Sequence, residues 1–254
     1  MFEINTISIL NDNYCHVLVD KTRTYAAVVD PGEYSPVRDY LDREGLTLQY
    51  ILNTHHHWDH IGGNKALKDH YDCQIIGPKV ETDRIPDMDI LVEEGDIISF
   101  SGEDIRVIEV HGHTRGHIAY YAAESKALFS GDTLFSLGCG RLFEGTPEQM
   151  WKSLSKIMSL PDDTKNYCAH EYTLENASFA LRIDPENDNL NHYVEDVKKI
   201  RAQGIPSIPS LLSIEKESNP FLRCDLPEFK KSIGMVDKNA VEVFAEIRRQ
   251  RDQC

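Results

Sequence analysis

No two cysteines in this 254-residue chain have the C-x-x-C spacing of a thiolate zinc knuckle: Cys15, Cys73, Cys139, Cys168, Cys224 and Cys254 are scattered. They read as reduced thiols that fill space, not as a disulfide framework. Positive charge is also scarce. The 27 Lys and Arg against 42 Asp and Glu leave a formal charge of −15, a field that repels polyanions and disfavours a nucleic-acid partner. An anionic small substrate would need a local Arg or Lys cluster. Long apolar runs are missing: nothing approaches the roughly 18 consecutive apolar residues of a membrane helix. Met1-Phe2-Glu3-Ile4-Asn5 has neither the basic start nor the apolar stretch of a signal peptide, so a cytoplasmic location without a membrane partner is the expectation. What remains, 41% hydrophobic and 27% charged residues, is a globular composition. It can bury one large core, or a domain of ordinary size plus a smaller appendage.

Short runs rich in Val, Ile, Tyr and Phe fill the first two thirds of the chain and predict strands at 2–9, 15–19, 25–29, 50–52, 74–76, 97–100, 105–110, 118–121, 127–130 and 166–169. Thr146-Pro147-Glu148-Gln149 offers an N-cap, a proline at the first helical position and a Gln at the third, ahead of Trp151, Leu154 and Met158 at helical spacing. After Thr173 the strand signals stop. Helices are expected at 174–182, at 189–203 closed by Gly204, and at 239–250. A boundary near residue 172 therefore separates a strand-rich part from a smaller helical one.

The chemistry concentrates in Thr54-His55-His56-His57-Trp58-Asp59-His60, between the run Tyr50-Ile51-Leu52 and Gly62-Gly63. Four possible ligands share a strand-to-helix loop, where several side chains can converge on one point. Imidazole and carboxylate donors without a thiolate suit zinc, iron or manganese in a catalytic site. His55 and His57 can reach one ion, while Asp59 and His60 lie far enough along the turn to face a second. Three further candidates each follow an apolar run: His113 after Val110, Asp132 in Ser130-Gly131-Asp132-Thr133, and His170 after Asn166-Tyr167-Cys168-Ala169. Alone, each reads as a cap or turn residue; their recurrence at strand ends points to a site.

In this order, H-x-H-x-D-H, the H-T-x-G-H run, S-G-D-T and C-x-H-E-Y-T resemble the metallo-β-lactamase superfamily, and within it the glyoxalase II (hydroxyacylglutathione hydrolase) family. The resemblance spans almost the whole chain, including 138–146, 219–223 and the last helix. It implies an α+β fold: a four-layer αββα sandwich as catalytic domain in 1–172, then an all-helical glutathione-binding domain in 173–254. It also implies two divalent ions, zinc with iron or manganese as alternatives. His55, His57 and His113 would hold the first, Asp59, His60 and His170 the second, and Asp132 would bridge them. His56, His111 and His117 have no ligand role in the pattern and keep structural readings.

The implied reaction is hydrolysis of S-D-lactoylglutathione and related 2-hydroxyacylglutathiones, the second step of methylglyoxal detoxification. Two cations on one water lower its pKa from ~15.7 toward ~7, giving a bridging hydroxide nucleophile with Asp59 and Asp132 as the catalytic carboxylates. A thiol of pKa about 8.5 can leave as thiolate without a general acid, which suits a thioester. In the last helix Val241, Phe244, Arg248 and Arg251 form one stripe. By the resemblance both arginines bind the glycine carboxylate of glutathione, Tyr172 contacts the tripeptide, and Arg141 and Phe143 complete the substrate stretch. Related sequences can carry Lys and Tyr at those last two positions. The chain is expected to act as a monomer. The rival enzymes are a β-lactamase, a processing nuclease or a single-iron persulfide dioxygenase, and the rival of another class is a non-catalytic metal or glutathione binder.

Overall fold

Alternating apolar runs and helical segments build the first of two units into which the chain divides, residues 1–109 with 116–131; the second comprises 110–115 with 132–254. The structure, a computed structural model, describes residues 1–254. In the first unit the elements are β1 (Glu3–Ile9), β2 (Asn13–Val19), β3 (Tyr25–Val29), α1 (Tyr34–Glu44), β4 (Thr47–Leu52), α2 (Trp58–Ile61), α3 (Asn64–Tyr71), β5 (Gln74–Pro78), β6 (Ile90–Val92), β7 (Ile97–Phe100), β8 (Glu103–Glu109), β9 (Ile118–Ala122) and β10 (Ala127–Gly131).

Strands β1 to β6 form one sheet in sequence order. The first three are antiparallel, and β3 to β6 run parallel. Parallel neighbours need crossovers, and α1 and α3 supply two of them. Val37 and Leu41 of α1 and Leu67 of α3 close one face of the sheet over Val17, Val28, Ile51 and Ile75. The sequence reading missed α1 because Tyr34–Glu44 spaces only two fully buried residues along eleven. Strands β7 to β10 form an antiparallel meander that meets the other face of the first sheet: Phe2 packs on Phe100, His16 on Phe129, and the buried Tyr120 hydroxyl donates to the Asn53 carbonyl at 2.8 Å. The carboxyl ends of β3 and β4, where open α/β sheets tend to bind ligands, carry Asp30 and Asn53-Thr54-His55.

The second unit contains β11 (Leu134–Phe135), β12 (Gly138–Cys139), α4 (Pro147–Met158), β13 (Lys165–Cys168), α5 (Thr173–Ile183), α6 (Asp188–Arg201), β14 (Ser210–Leu211), α7 (Leu212–Ser218), α8 (Pro227–Ser232) and α9 (Ala240–Asp252). Helix α4 starts on the capping box expected at Thr146 and Gln149, and α9 on a second one formed by Asn239 and Glu242. Helices α5 and α6 pack around Ala177, Ala180, Leu190 and Val194. An aromatic chain, Phe179 on Phe221, Phe221 on Phe244 and Phe244 on Trp151, ties α5, α9 and α4 together. Helices α7 and α8 went unseen in the sequence because seven and six residues are too few to show a period. Five cysteines are buried free thiols; Cys254 is an exposed one.

Candidate metal centre

The loop after β4 is organised from behind by one carboxylate. Asp30, 3% exposed, accepts from the Thr54 amide at 2.8 Å, from the Thr54 hydroxyl at 2.6 Å and from His60 Nδ1 at 3.0 Å. With its proton turned to Asp30, the Thr54 hydroxyl is the acceptor for His55 Nδ1 at 3.0 Å. Both imidazoles therefore carry hydrogen on Nδ1, which in the neutral ring leaves the Nε2 lone pair for a cation. His55 Nε2 lies 3.0 Å from His57 Nδ1, and His60 Nε2 lies 3.6 Å from Asp59 Oδ2. Asp30, His55 and His60 bring ligand-type atoms within 4.8 Å of one another. Asn13 donates to Asp59 Oδ2 at 3.0 Å and holds that carboxylate. His117, fully buried, stacks on His55 at 4.6 Å and 20°. His56 turns away to the buried Glu81, 3.4 Å off. Gly32 is required by contact: a Cβ there would stand 1.8 Å from the Asp59 carbonyl oxygen.

In the second unit His113, Asp132 and His170 converge from three separate turns. His113 Nε2 is 3.3 Å from Asp132 Oδ2, and His170 Nε2 is 3.4 Å from Oδ1 of the same carboxylate. The other nitrogen of His113, Nδ1, donates to the Arg141 carbonyl at 2.9 Å. A carbonyl only accepts, so this bond fixes the tautomer and leaves a lone pair on Nε2. Gly140 lets the chain pass close by, since a Cβ would meet the Asp132 carbonyl oxygen at 1.9 Å.

Both units therefore contain an imidazole lone pair aimed at carboxylate oxygens between 3.3 and 3.6 Å away. Such an approach is repulsive unless a proton or cation is shared. Imidazole and carboxylate donors, with no thiolate among them, fit zinc, iron or manganese, and the outer nitrogens of His55, His60 and His113 are engaged as metal-binding histidines require.

The residues expected to meet substrate occupy two places in the second unit. Tyr172, half-buried, stacks on His170 at 4.6 Å and 10°, and Phe143, 61% exposed, puts its ring 5.2 Å from His113. The Arg141 side chain is exposed; its carbonyl is what touches the centre. On α9, Arg248 is only 5% exposed. It donates to the Cys139 carbonyl at 2.8 Å and to Asp252 at 2.8 Å, and lies over the Phe221 ring. Arg251 covers Phe179. The two guanidinium groups thus sit on the two members of one stacked aromatic pair.

Sequence reasoning missed Asp30 and Glu81. Asp30 left a signal, a carboxylate in Val28-Val29-Asp30-Pro31-Gly32 directly after a buried strand; Glu81, in a single 3₁₀ turn, left none.

Residues 11–170 match the Metallo-beta-lactamase superfamily, and 171–254 match Hydroxyacylglutathione hydrolase C-terminus. A hydroxyacylglutathione hydrolase of Ruegeria pomeroyi is 46% identical over 250 residues, 98% of each chain. Among solved structures, ETHE1 from Myxococcus xanthus superposes with a TM-score of 0.69 at 22% identity, covering 98% of this chain and 90% of that one. TTHA1623 in a di-iron-bound form gives a TM-score of 0.54 at 26% identity over 66% of this chain and 91% of that one.

Proposed function

Because this chain belongs to the hydroxyacylglutathione hydrolase family of the metallo-β-lactamase superfamily, we propose the assignment of its residues to that reaction. The protein is a thioester hydrolase: water cleaves an S-(2-hydroxyacyl)glutathione, S-D-lactoylglutathione among them, to glutathione and the hydroxy acid. The ligand roles are our reading. His55, His57 and His113 hold one divalent ion; Asp59, His60 and His170 hold a second; Asp132 is shared. The observation that carries it is the pair of histidines aimed at the two oxygens of Asp132. The di-iron form of TTHA1623 supports a two-ion count, and we take zinc as the ordinary occupant, with iron or manganese able to replace it. When bound, the ions supply Lewis acidity and a water acidic enough to ionise near neutral pH.

The chain's own groups do the rest. Asp59, restrained by Asn13, orients the attacking water. Tyr172 and Phe143 flank the histidines and form the wall against which the tripeptide and acyl group lie. Arg248 and Arg251 receive the glycine carboxylate, which takes the place Asp252 holds at Arg248 Nη2. The sulfur leaves as thiolate, its pKa of about 8.5 making a proton donor unnecessary. We assign catalysis to 1–172 and glutathione binding to 173–254, supported by the division of the family matches at 170 and 171, and we place the protein in the cytoplasm as a monomer. No helix is long and apolar enough to cross a membrane.

Release of free thiol from S-D-lactoylglutathione, followed with and without a chelator, tests the reading. Activity should vanish on chelation and return with zinc. One iron per chain together with oxygen uptake on glutathione persulfide would replace the hydrolase with a dioxygenase. Within the helical part, Arg251→Ala should raise KM about tenfold with little change in kcat, as expected for contacts remote from the scissile bond. An unchanged KM would remove Arg251 from the substrate site.

A further inference from the structure

The hairpin of β11 and β12 is too short to hold itself. Its ladder pairs only Leu134 with Cys139 and Phe135 with Gly138, whereas an isolated two-stranded hairpin is marginal even at greater length. The turn puts Leu137, a fully buried non-glycine residue, at φ 58°, a conformation that persists only when its surroundings impose it.

Those surroundings are five side chains, which between them reach one backbone group of each residue from Leu134 to Cys139. Asn166 donates to the Leu134 carbonyl at 3.0 Å. Asn219 donates to the carbonyls of Phe135 at 3.3 Å and Gly138 at 3.0 Å. Asn176 donates to the Ser136 carbonyl at 3.1 Å. The Leu137 amide donates to Glu215 Oε2 at 2.9 Å, and Arg248 donates to the Cys139 carbonyl. Glu215 and Asn219 are joined at 3.0 Å, and both are fully buried. Burial pushes the Glu215 carboxyl above its ordinary range, opposed by the bonds it accepts from Leu137 and Asn219.

Buried polar side chains are costly unless bonded, and these place their bonds on the hairpin backbone, which restricts its geometry. Six residues of backbone fixed in this way matter because of what flanks them. Asp132 lies two residues before the hairpin, Arg141 two after it and Phe143 four. We propose that Glu215 and Asn219 are positioning residues for the hydrolysis: from behind the hairpin they set the path of the backbone that presents Asp132 at one end and the Arg141 to Phe143 segment at the other. The inference rests on the reading of Asp132 as a ligand and of Arg141 and Phe143 as substrate contacts, and it adds residues that touch neither. Arg248 has a share in the same work through Cys139.

Glu215→Leu removes the acceptor for Leu137 and Asn219, while Glu215→Gln keeps one, because hydroxyls nearby can rotate to suit the amide. With both variants folded by near-ultraviolet circular dichroism at room temperature, Glu215→Leu should lose about tenfold in metal affinity by chelator competition and about tenfold in kcat, the scale seen when groups orienting ligands are removed. Glu215→Gln should restore both to within about threefold. A folded Glu215→Leu protein with wild-type kcat, KM and metal affinity and only a lower Tm would overturn the proposal, as would a Glu215→Gln variant no better than the leucine one. Should the leucine variant not fold, Asn219→Ser, which withdraws the amide donors from the Phe135 and Gly138 carbonyls and leaves a hydroxyl to accept from the Phe221 amide, is read by the same criterion. Asp132→Asn serves as the control: wild-type metal affinity there would remove Asp132 from the ligand set, while the kcat and KM of the Glu215 variants would still report on the hairpin.

Discussion

The candidate ligands of the first unit lie on one loop of seven residues, and those of the second lie on three turns far apart in sequence. Two histidines of the first set are oriented by a single side chain, since Asp30 reaches His60 directly and His55 through Thr54, while Asp59 is held by Asn13. The second is oriented by backbone, namely the Arg141 carbonyl on His113 and the hairpin that follows Asp132. The difference is instructive. A local cluster can be steered by one carboxylate, but residues brought together by the fold depend on many small constraints on the path of the main chain.

Asp30→Ala removes the one group that orients both His55 and His60. It should weaken metal binding about 10- to 100-fold, the usual cost of losing a group that orients ligand histidines, when measured by chelator competition on folded protein. Thr54→Val, which interrupts only the branch to His55, should cost less. Equal affinity in Asp30→Ala and wild type would end the contrast, because the loop would then be holding itself.

Gly140→Ala probes the second arrangement. Its Cβ would stand 1.9 Å from the Asp132 carbonyl oxygen and 3.1 Å from His113 Nδ1, so the main chain must move. A loss of about tenfold or more in kcat is expected from a displacement of that kind, with a normal far-ultraviolet spectrum. Unimpaired kcat would show that the path near Asp132 tolerates slack.

The smallest effect should be one of pH. Burial raises the Glu215 carboxyl above its ordinary value of 4.5. Below that value both folded and unfolded chains hold the proton, and its contribution to stability is complete. As the pH rises, the unfolded chain releases its proton first, and stability is lost until the folded Glu215 ionises in turn. Glu215→Gln does not titrate, so its Tm relative to wild type should climb with pH from about 4.5 upward, at about 2–4 °C per kcal/mol for a chain of this size. A difference flat in pH would mean that Glu215 ionises normally where it lies.

The same contrast explains what could be read in the sequence. His55, His57, Asp59 and His60 are legible because spacing along one loop is spacing in space. His113, Asp132 and His170 could be proposed only because each follows an apolar run and the motif order resembles a family. Most of the predicted strands and the helices α4, α5, α6 and α9 carried enough periodicity or capping chemistry to be placed. Helix α1 was lost because its partly buried tyrosines blur the apolar stripe. Asp30, Glu81, Glu215 and Asn219 act by contact with residues distant in sequence, and no periodicity encodes a contact of that kind.

The clamp at Asp30 also bears on which part of the chain each half of the centre needs. Its parts stand at the ends of β3 and β4, two parallel neighbours joined through α1, and all its contacts close within residues 30–60. The four-residue candidate cluster is thus braced from inside the first unit. Asp132, by contrast, adjoins a hairpin held by side chains of α5, α7 and α9. A truncated chain should therefore retain the loop and lose the reaction.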